Sequence, residues 1–300
     1  MVKLPRVRHS DVASSGYNFL MRKKNRIIRA LDNLMTPEQY VRQRHDTPYL
    51  YTLGNDDDAL TFVGARHTND VSSDVAAKIV EQMDTHQPEI VFVEGVQSLG
   101  DTQYVSTFIS RMTPEEAMER GGEPVFTIKQ ALERGIEWRC PEPTDYKLLN
   151  HLVFQFYDRQ EIIAWYVLRL LSQYHGRGET MAFQAYVAPF LSSLQKQVAW
   201  PHVSYEYDVV LATASEVLGH VVNIHNTDLV SSYTDPIPWE STWEQQSRFN
   251  DISRAALRYR DRAIVRNVSD VVLNGKNTLV VYGAGHAVMQ EPAYIYLLGQ

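Results

Sequence analysis

The 300-residue chain has a single cysteine, Cys140, so no disulfide can form within it. No apolar run approaches the roughly 18 uninterrupted residues of a membrane span. The first residues lack the apolar core of a secretory signal. These absences predict a soluble protein of a reducing compartment, expected to be cytoplasmic and to have no membrane partner. Low-complexity tracts and repeats of about 20–50 residues are also missing, which excludes solenoids and propellers. There is no HExxH, Gly-x-Ser-x-Gly, P-loop or Gly-x-Gly-x-x-Gly signature, and Gly283-Ala284-Gly285 lacks the third glycine of a dinucleotide site.

What is present is ordinary for a globular chain: 44% hydrophobic and 22% charged residues, enough for a substantial core. A formal net charge of −7 argues against a nucleic-acid-binding surface over the whole protein. The first thirty residues run against this balance, with Lys3, Arg6, Arg8, Arg22, Lys23, Lys24, Arg26 and Arg29 facing only Asp11. They read either as an arm for an anionic partner or as a solvated, partly helical extension; without interleaved aromatics the second reading is preferred.

Strand and helix signals alternate. Tyr49–Leu53 and Leu60–Val63 flank Gly54-Asn55-Asp56-Asp57-Asp58 as a hairpin. Leu60–Val63, a helical pattern over Val71–Thr85 and the run Ile90–Val93 form a βαβ unit, and the third piece has the uniform apolarity of a strand buried on both faces. Capping-box spacing marks helix starts at Thr113, Thr127 and Ser241, and Thr36-Pro37 with Gln39 marks another. Ile136–Cys140 and Thr278–Val281 read as further strands, Tyr146–Val198 as helical, Trp200–Trp239 as irregular, and Ile295–Leu298 as a short terminal helix. The expected fold is therefore α/β, with a central, largely parallel or mixed sheet flanked by helices. It would comprise a basic extension over residues 1–46 and one domain over 47–300, carrying a helical insertion at about 146–240.

Two distant stretches match. Leu60-Thr-Phe-Val-Gly-Ala-Arg-His67 and Leu279-Val-Val-Tyr-Gly-Ala-Gly-His286 each run from an apolar strand into Gly-Ala-x-His. Ligands of parallel sheets bind beyond the carboxyl ends of the strands. His67, Glu94, Glu142 and His286 each lie just past such an end, so they can share one sheet edge. Imidazole binds transition metals or moves protons near neutral pH, and two histidines with a carboxylate can form an open metal site. A carboxylate after four apolar residues, as Glu94 is, must be paired, metal-bound or raised in pKa. Glu142 sits between Pro141 and Pro143, a stiff setting for a second carboxylate and equally for a plain turn. Arg258, Arg262 and Arg266 share a helix face, from which Arg262 or Arg266 could orient the site; a solvated stripe is the other reading. Asp70 suits the cap of the helix starting near Val71.

The ordered set Gly64–His67, Glu94-Gly95, Arg262–Asn267 and Gly283–His286 resembles the TraB/PrgY/Tiki family, within a wider group that includes the erythromycin esterases and ChaN-like proteins. The resemblance spans roughly Thr61–Gly95 and Arg254–Leu298. It implies an erythromycin esterase/ChaN/Tiki-like fold and a hydrolytic site built on the two Gly-x-x-His motifs and Glu94. Tiki proteins are described as metal-dependent proteases. The erythromycin esterases open a lactone with His and Glu and no stable metal, and other members bind haem. Unlike the membrane-anchored members, this sequence shows neither a signal nor a transmembrane tail.

The expectation is a hydrolase, a peptidase or esterase acting on a peptide or small molecule. His67, Glu94 and His286 would hold a divalent metal (Mn, Co or Zn) or act directly as acid and base, assisted by Glu142 and by Arg262 or Arg266. The alternative is a non-catalytic module that takes a small ligand or haem in the same cleft. A homo-oligomer is compatible with the sequence and not decided by it.

Overall fold

The computed structural model describes residues 9–55, 59–96, 102–176, 178, 180–225, 232–236 and 247–299, with backbone alone over 9–19. The expected helix start at Ser241–Glu244, the Asp56–Asp58 turn and the basic residues before His9 lie outside the described residues. The chain divides into two compact units. The first comprises residues 1–36, 45–141 and 262–300; the second comprises 37–44 and 142–261.

The first unit is an α/β sandwich. Its elements in chain order are α1 (His9–Leu31), β1 (Tyr49–Leu53), β2 (Leu60–Ala65), α3 (Asp74–His86), β3 (Ile90–Val93), α4 (Thr102–Ser110), α5 (Pro114–Glu133) and β4 (Glu137–Arg139), closed by the second part of α10 (Arg248–Val272), β5 (Thr278–Gly283) and α11 (Ala284–Leu298). The short α2 (Pro37–Tyr40) belongs to the second unit. All five expected strands form, in the order β1-β2-β5-β3-β4. β1 runs antiparallel to β2, as the hairpin signal predicts, and the other pairings are parallel.

Strand alternation sorts the core. Val63, Ala65, Val91, Val93, Leu279 and Val281 face α3, α4 and α5 on one side. Leu60, Phe62, Ile90, Phe92, Val280 and Tyr282 pack with α1, α10 and α11 on the other. β2, β3 and β5 are buried along their whole length, which is why they read as continuous apolar runs. The basic N-terminal segment is not simply a solvated extension: Ile27, Ala30 and Leu31 of α1 are buried in the second of these layers.

Several helices depart from the sequence reading. Asp70 does not cap α3; its carboxylate accepts from the Ser72 amide and hydroxyl at 2.8 and 2.7 Å, and Ser73 takes the cap. Thr113 forms the expected capping box, but the second helical start lies at Glu123-Pro124 rather than Thr127. There Gly122, at φ 64° and ψ −161°, breaks α5. The expected terminal helix at Ile295 instead begins at Ala284, directly after β5, so the second Gly-Ala-x-His is a strand-to-helix junction and not a loop.

The second unit is helical, built from α6 (Asp145–Phe154), α7 (Arg159–Gly176), α8 (Phe183–Val198), α9 (Tyr207–Leu218) and the first part of α10. Its core centres on the apolar face of α7, where Ile162, Ile163, Trp165, Leu168 and Leu171 are buried with Leu149, Val187 and Ile252. It is wider than the expected insertion, running from Glu142 to Asp261, and α9 falls in the stretch expected to be irregular.

Gly64 fixes how closely α11 approaches the sheet. A β-carbon built there would lie 2.7 Å from Ala287 Cβ and 3.0 Å from Ala284 Cα. Gly64→Ala should therefore overpack this contact and lower stability by about 1–3 kcal/mol, read as a shifted midpoint in urea unfolding. An unchanged midpoint would show that α11 moves away freely.

Candidate functional site

Parallel pairing of β2 with β5 sets the two Gly-Ala-x-His stretches side by side. Gly64 is opposite Tyr282 and Ala65 opposite Gly283, so the stretches are offset by one residue. β3 flanks β5 on its other side, with Val93 opposite Val281, and delivers Glu94 to the same edge. His67, Glu94 and His286 thus converge from three segments remote in sequence.

Gly283 is the centre of this group. Its amide donates to Glu94 Oε2 at 2.8 Å. A β-carbon built on Gly283 would sit 3.4 Å from Glu94 Oε2 and 3.5 Å from His67 Nε2. His286 lies in the first turn of α11, with its Nε2 3.6 Å from Glu94 Oε1, an ion-pair separation rather than a hydrogen bond. Its ring stands edge-on to Tyr282 at 5.7 Å, which fixes its orientation. α11 begins without a side-chain cap, so its first-turn amides have no side-chain acceptor of that kind.

A fourth residue, not singled out in the sequence, completes the arrangement. Glu123 Oε1 is bound to His67 Nδ1, and Glu123 Oε2 accepts from the Thr68 amide at 3.3 Å. The pair is asymmetric: the His67 side chain is 69% exposed and that of Glu123 only 3%. One end is rooted in the protein and the other is open to a reactant. A carboxylate at Nδ1 requires that nitrogen to carry the proton in the neutral ring, which leaves the lone pair on Nε2, the atom beside Gly283.

Glu123 reaches this place because α5 breaks. The conformation of Gly122 is one that only glycine adopts readily, and a β-carbon there would meet Thr68 O at 3.1 Å. The break restarts the helix at Glu123-Pro124 and turns Glu123 toward the loop after β2. Asn69 Nδ2 ties the same loop to Glu119 O at 2.8 Å, and Thr127 Oγ1 donates to Glu123 O at 2.6 Å. The sequence signal was Gly121-Gly122-Glu123-Pro124 inside a helical pattern. Two glycines and a proline there mark a kink aimed at something.

The other expected site residues are placed differently. Glu142 is buried in the second unit and is gripped in a two-point pair by Arg260, with Nη2 to Oε1 at 2.7 Å and Nε to Oε2 at 3.2 Å. Arg262 donates to Leu31 O at 3.4 Å and so braces α1. Arg266 is exposed. Asn267 Nδ2 donates to Pro141 O at 2.6 Å, a structural tie. Arg260, which the i, i+4 stripe passed over, is the arginine of α10 that holds a carboxylate.

Among the described residues no group of three or more His, Cys, Asp or Glu is arranged to hold a metal ion. The fit is limited by the partners already described: His67 Nδ1 is engaged by Glu123, and Glu94 Oε2 by the Gly283 amide.

The geometry predicts the tautomer of His67. Nitrogen-15 NMR of the ring should show Nδ1–H in the neutral protein and in Glu123→Gln, whose amide oxygen still accepts, and a mixture of tautomers in Glu123→Ala. Nε2–H in the wild type would contradict the arrangement.

Compared with protein-family models, curated proteins and solved structures, the chain matches none.

Proposed function

We propose that this chain is a hydrolase of a carbonyl substrate, an ester, lactone or peptide, with His67 as general base. The observation that carries the reading is the buried Glu123 behind an exposed His67 whose Nε2 points to the Glu94–Gly283 contact. The order and identity of the motif residues, which resemble the TraB/PrgY/Tiki group, support it as well.

Water held near His67 Nε2 gives up a proton to that nitrogen as its oxygen bonds to the substrate carbonyl carbon. The negative charge formed on the carbonyl oxygen is met by first-turn amides of α11. The intermediate then collapses, and the leaving alkoxide or amine takes the proton back from His67. Glu123 stabilises the imidazolium formed between these steps. Glu94, held by the Gly283 amide beside His286, orients the water. General-base assistance of this kind contributes typically 10²–10⁴-fold. A divalent metal, which the resemblance implies for some members, would supply a Lewis acid when bound.

A panel of chromogenic esters, lactones and peptides, each with and without EDTA or added Mn, Co or Zn, tests the reading. Any activity found should fall by at least about 100-fold in His67→Ala and in Glu94→Gln, with circular dichroism unchanged. Full activity in the His67→Ala/His286→Ala double variant would overturn it. Abolition by EDTA would replace the metal-free route with a metal-dependent one. A visible absorption band of bound haem in the purified protein would favour the non-catalytic alternative.

A further inference from the structure

The second unit contains a groove that the proposed hydrolysis does not use. It has a volume of about 720 Å³, the size of a small-molecule site, and lies between α8 and the segment that leads into α9. Its first wall comes from one face of α8, where Gln184, Ala188, Ser192 and Gln195 recur at the spacing that stacks side chains along one side of a helix. All four are exposed, whereas Phe183, Val187 and Leu194 of the adjoining face pack into the core.

The second wall is held in place from behind. Gln160 of α7 clamps the Ser204 backbone at two points: its Nε2 donates to Ser204 O at 3.0 Å, and the Ser204 amide donates to its Oε1 at 2.8 Å. Ser204 Oγ in turn accepts from the Glu206 amide at 3.2 Å. Tyr207 opens α9 and stands edge-on to the buried Phe183, with ring centroids 6.2 Å apart, so the core fixes its plane. The Tyr205 hydroxyl is shielded from solvent, so Tyr205 meets the groove with its ring. Two tyrosine rings are therefore set in position before any ligand arrives.

The lining selects a class of ligand. Among the described residues no lysine or arginine lines the groove, and Glu206 adds a carboxylate, so an anionic ligand would meet its own sign of charge. Polar side chains outnumber aliphatic ones, which disfavours a wholly apolar ligand. Each glutamine amide offers two donors and an acceptor, and a carboxylate accepts at both oxygens. Neighbouring hydroxyl groups of a sugar ring present the matching donors and acceptors, while the C–H face of that ring packs against an aromatic. We propose that this groove binds a neutral hexose, free or at the end of a glycan, with the tyrosine rings as its platform and Gln184, Gln195 and Glu206 as partners of its hydroxyl groups. The site lies wholly within the second unit and stands whether or not the chain is a hydrolase.

Saturation-transfer difference NMR of the full chain with glucose, galactose and mannose tests the site. At least one hexose should bind saturably, with a dissociation constant of about 10 mM or tighter. The uronate of the responding hexose, which adds a carboxylate, should bind more weakly. The double variant Gln184→Ala/Gln195→Ala changes two exposed positions and should raise the dissociation constant at least about tenfold. Tyr207→Ala should abolish binding, and Tyr207→Phe, which keeps the ring, should retain it to within about threefold. The glutamine variant decides the matter if Tyr207→Ala does not fold. Absence of saturable binding by all three hexoses, equal binding by wild type and the glutamine variant, or a uronate that binds more tightly than its hexose would overturn the proposal.

Discussion

The parallel pairing of β2 with β5 is the constraint on which the candidate site depends. Registering Ala65 against Gly283 sets the exits of two remote segments next to each other. α11 can then follow β5 without a loop only because Gly64 presents no side chain to Ala284 and Ala287. The same junction holds His286 in a first helical turn and leaves the Gly283 amide pointing at Glu94. The two glycines of the matched stretches therefore answer to different needs. Gly64 makes room for a helix across the sheet, and Gly283 leaves open the space between a carboxylate and an imidazole.

β2, β3 and β5 were legible because burial on both faces removes polar residues from a strand, whereas β1 and β4 were legible from the turn residues that bound them. The meeting of His67, Glu94 and His286 was legible for a related reason: in parallel strands the carboxyl ends lie on one edge, so residues just past them become neighbours. The start of α11 was not. A helix that begins on glycine with no capping side chain carries none of the Ser, Thr, Asp or Asn signals that mark other starts, and Ala284-Gly285 looks like a turn. Thr127 misled in the opposite way. Its spacing suited a capping box, but its hydroxyl is used to back-bond Glu123 O inside a helix already under way.

Glu123 and Arg260 show where pattern reading ends. Helical periodicity identifies which residues share a face. It does not say what another element brings to that face. The stripe Arg258, Arg262 and Arg266 is regular, yet Arg262 braces α1 and the other two face solvent, while Arg260 off the stripe meets Glu142. Glu123 lies 56 residues from the histidine it holds, and only a break in backbone geometry betrays it. In both cases the informative feature was an irregularity: a doubled glycine before Glu-Pro in one, and a carboxylate wedged between two prolines in the other.

The strand order has a consequence for synthesis. β5 lies between β2 and β3, yet it is the last strand to leave the ribosome. Until it does, β2 and β3 each present an unpaired edge of uniformly apolar residues, the kind of surface that joins neighbouring chains. β5 is far along the chain from both of its partners, so closing the slot between them is a slow, non-local event. A chain that terminates early would lose more than its second histidine. It would leave the middle of its sheet open, and quality control would meet it as an aggregation hazard rather than as a folded, inactive protein.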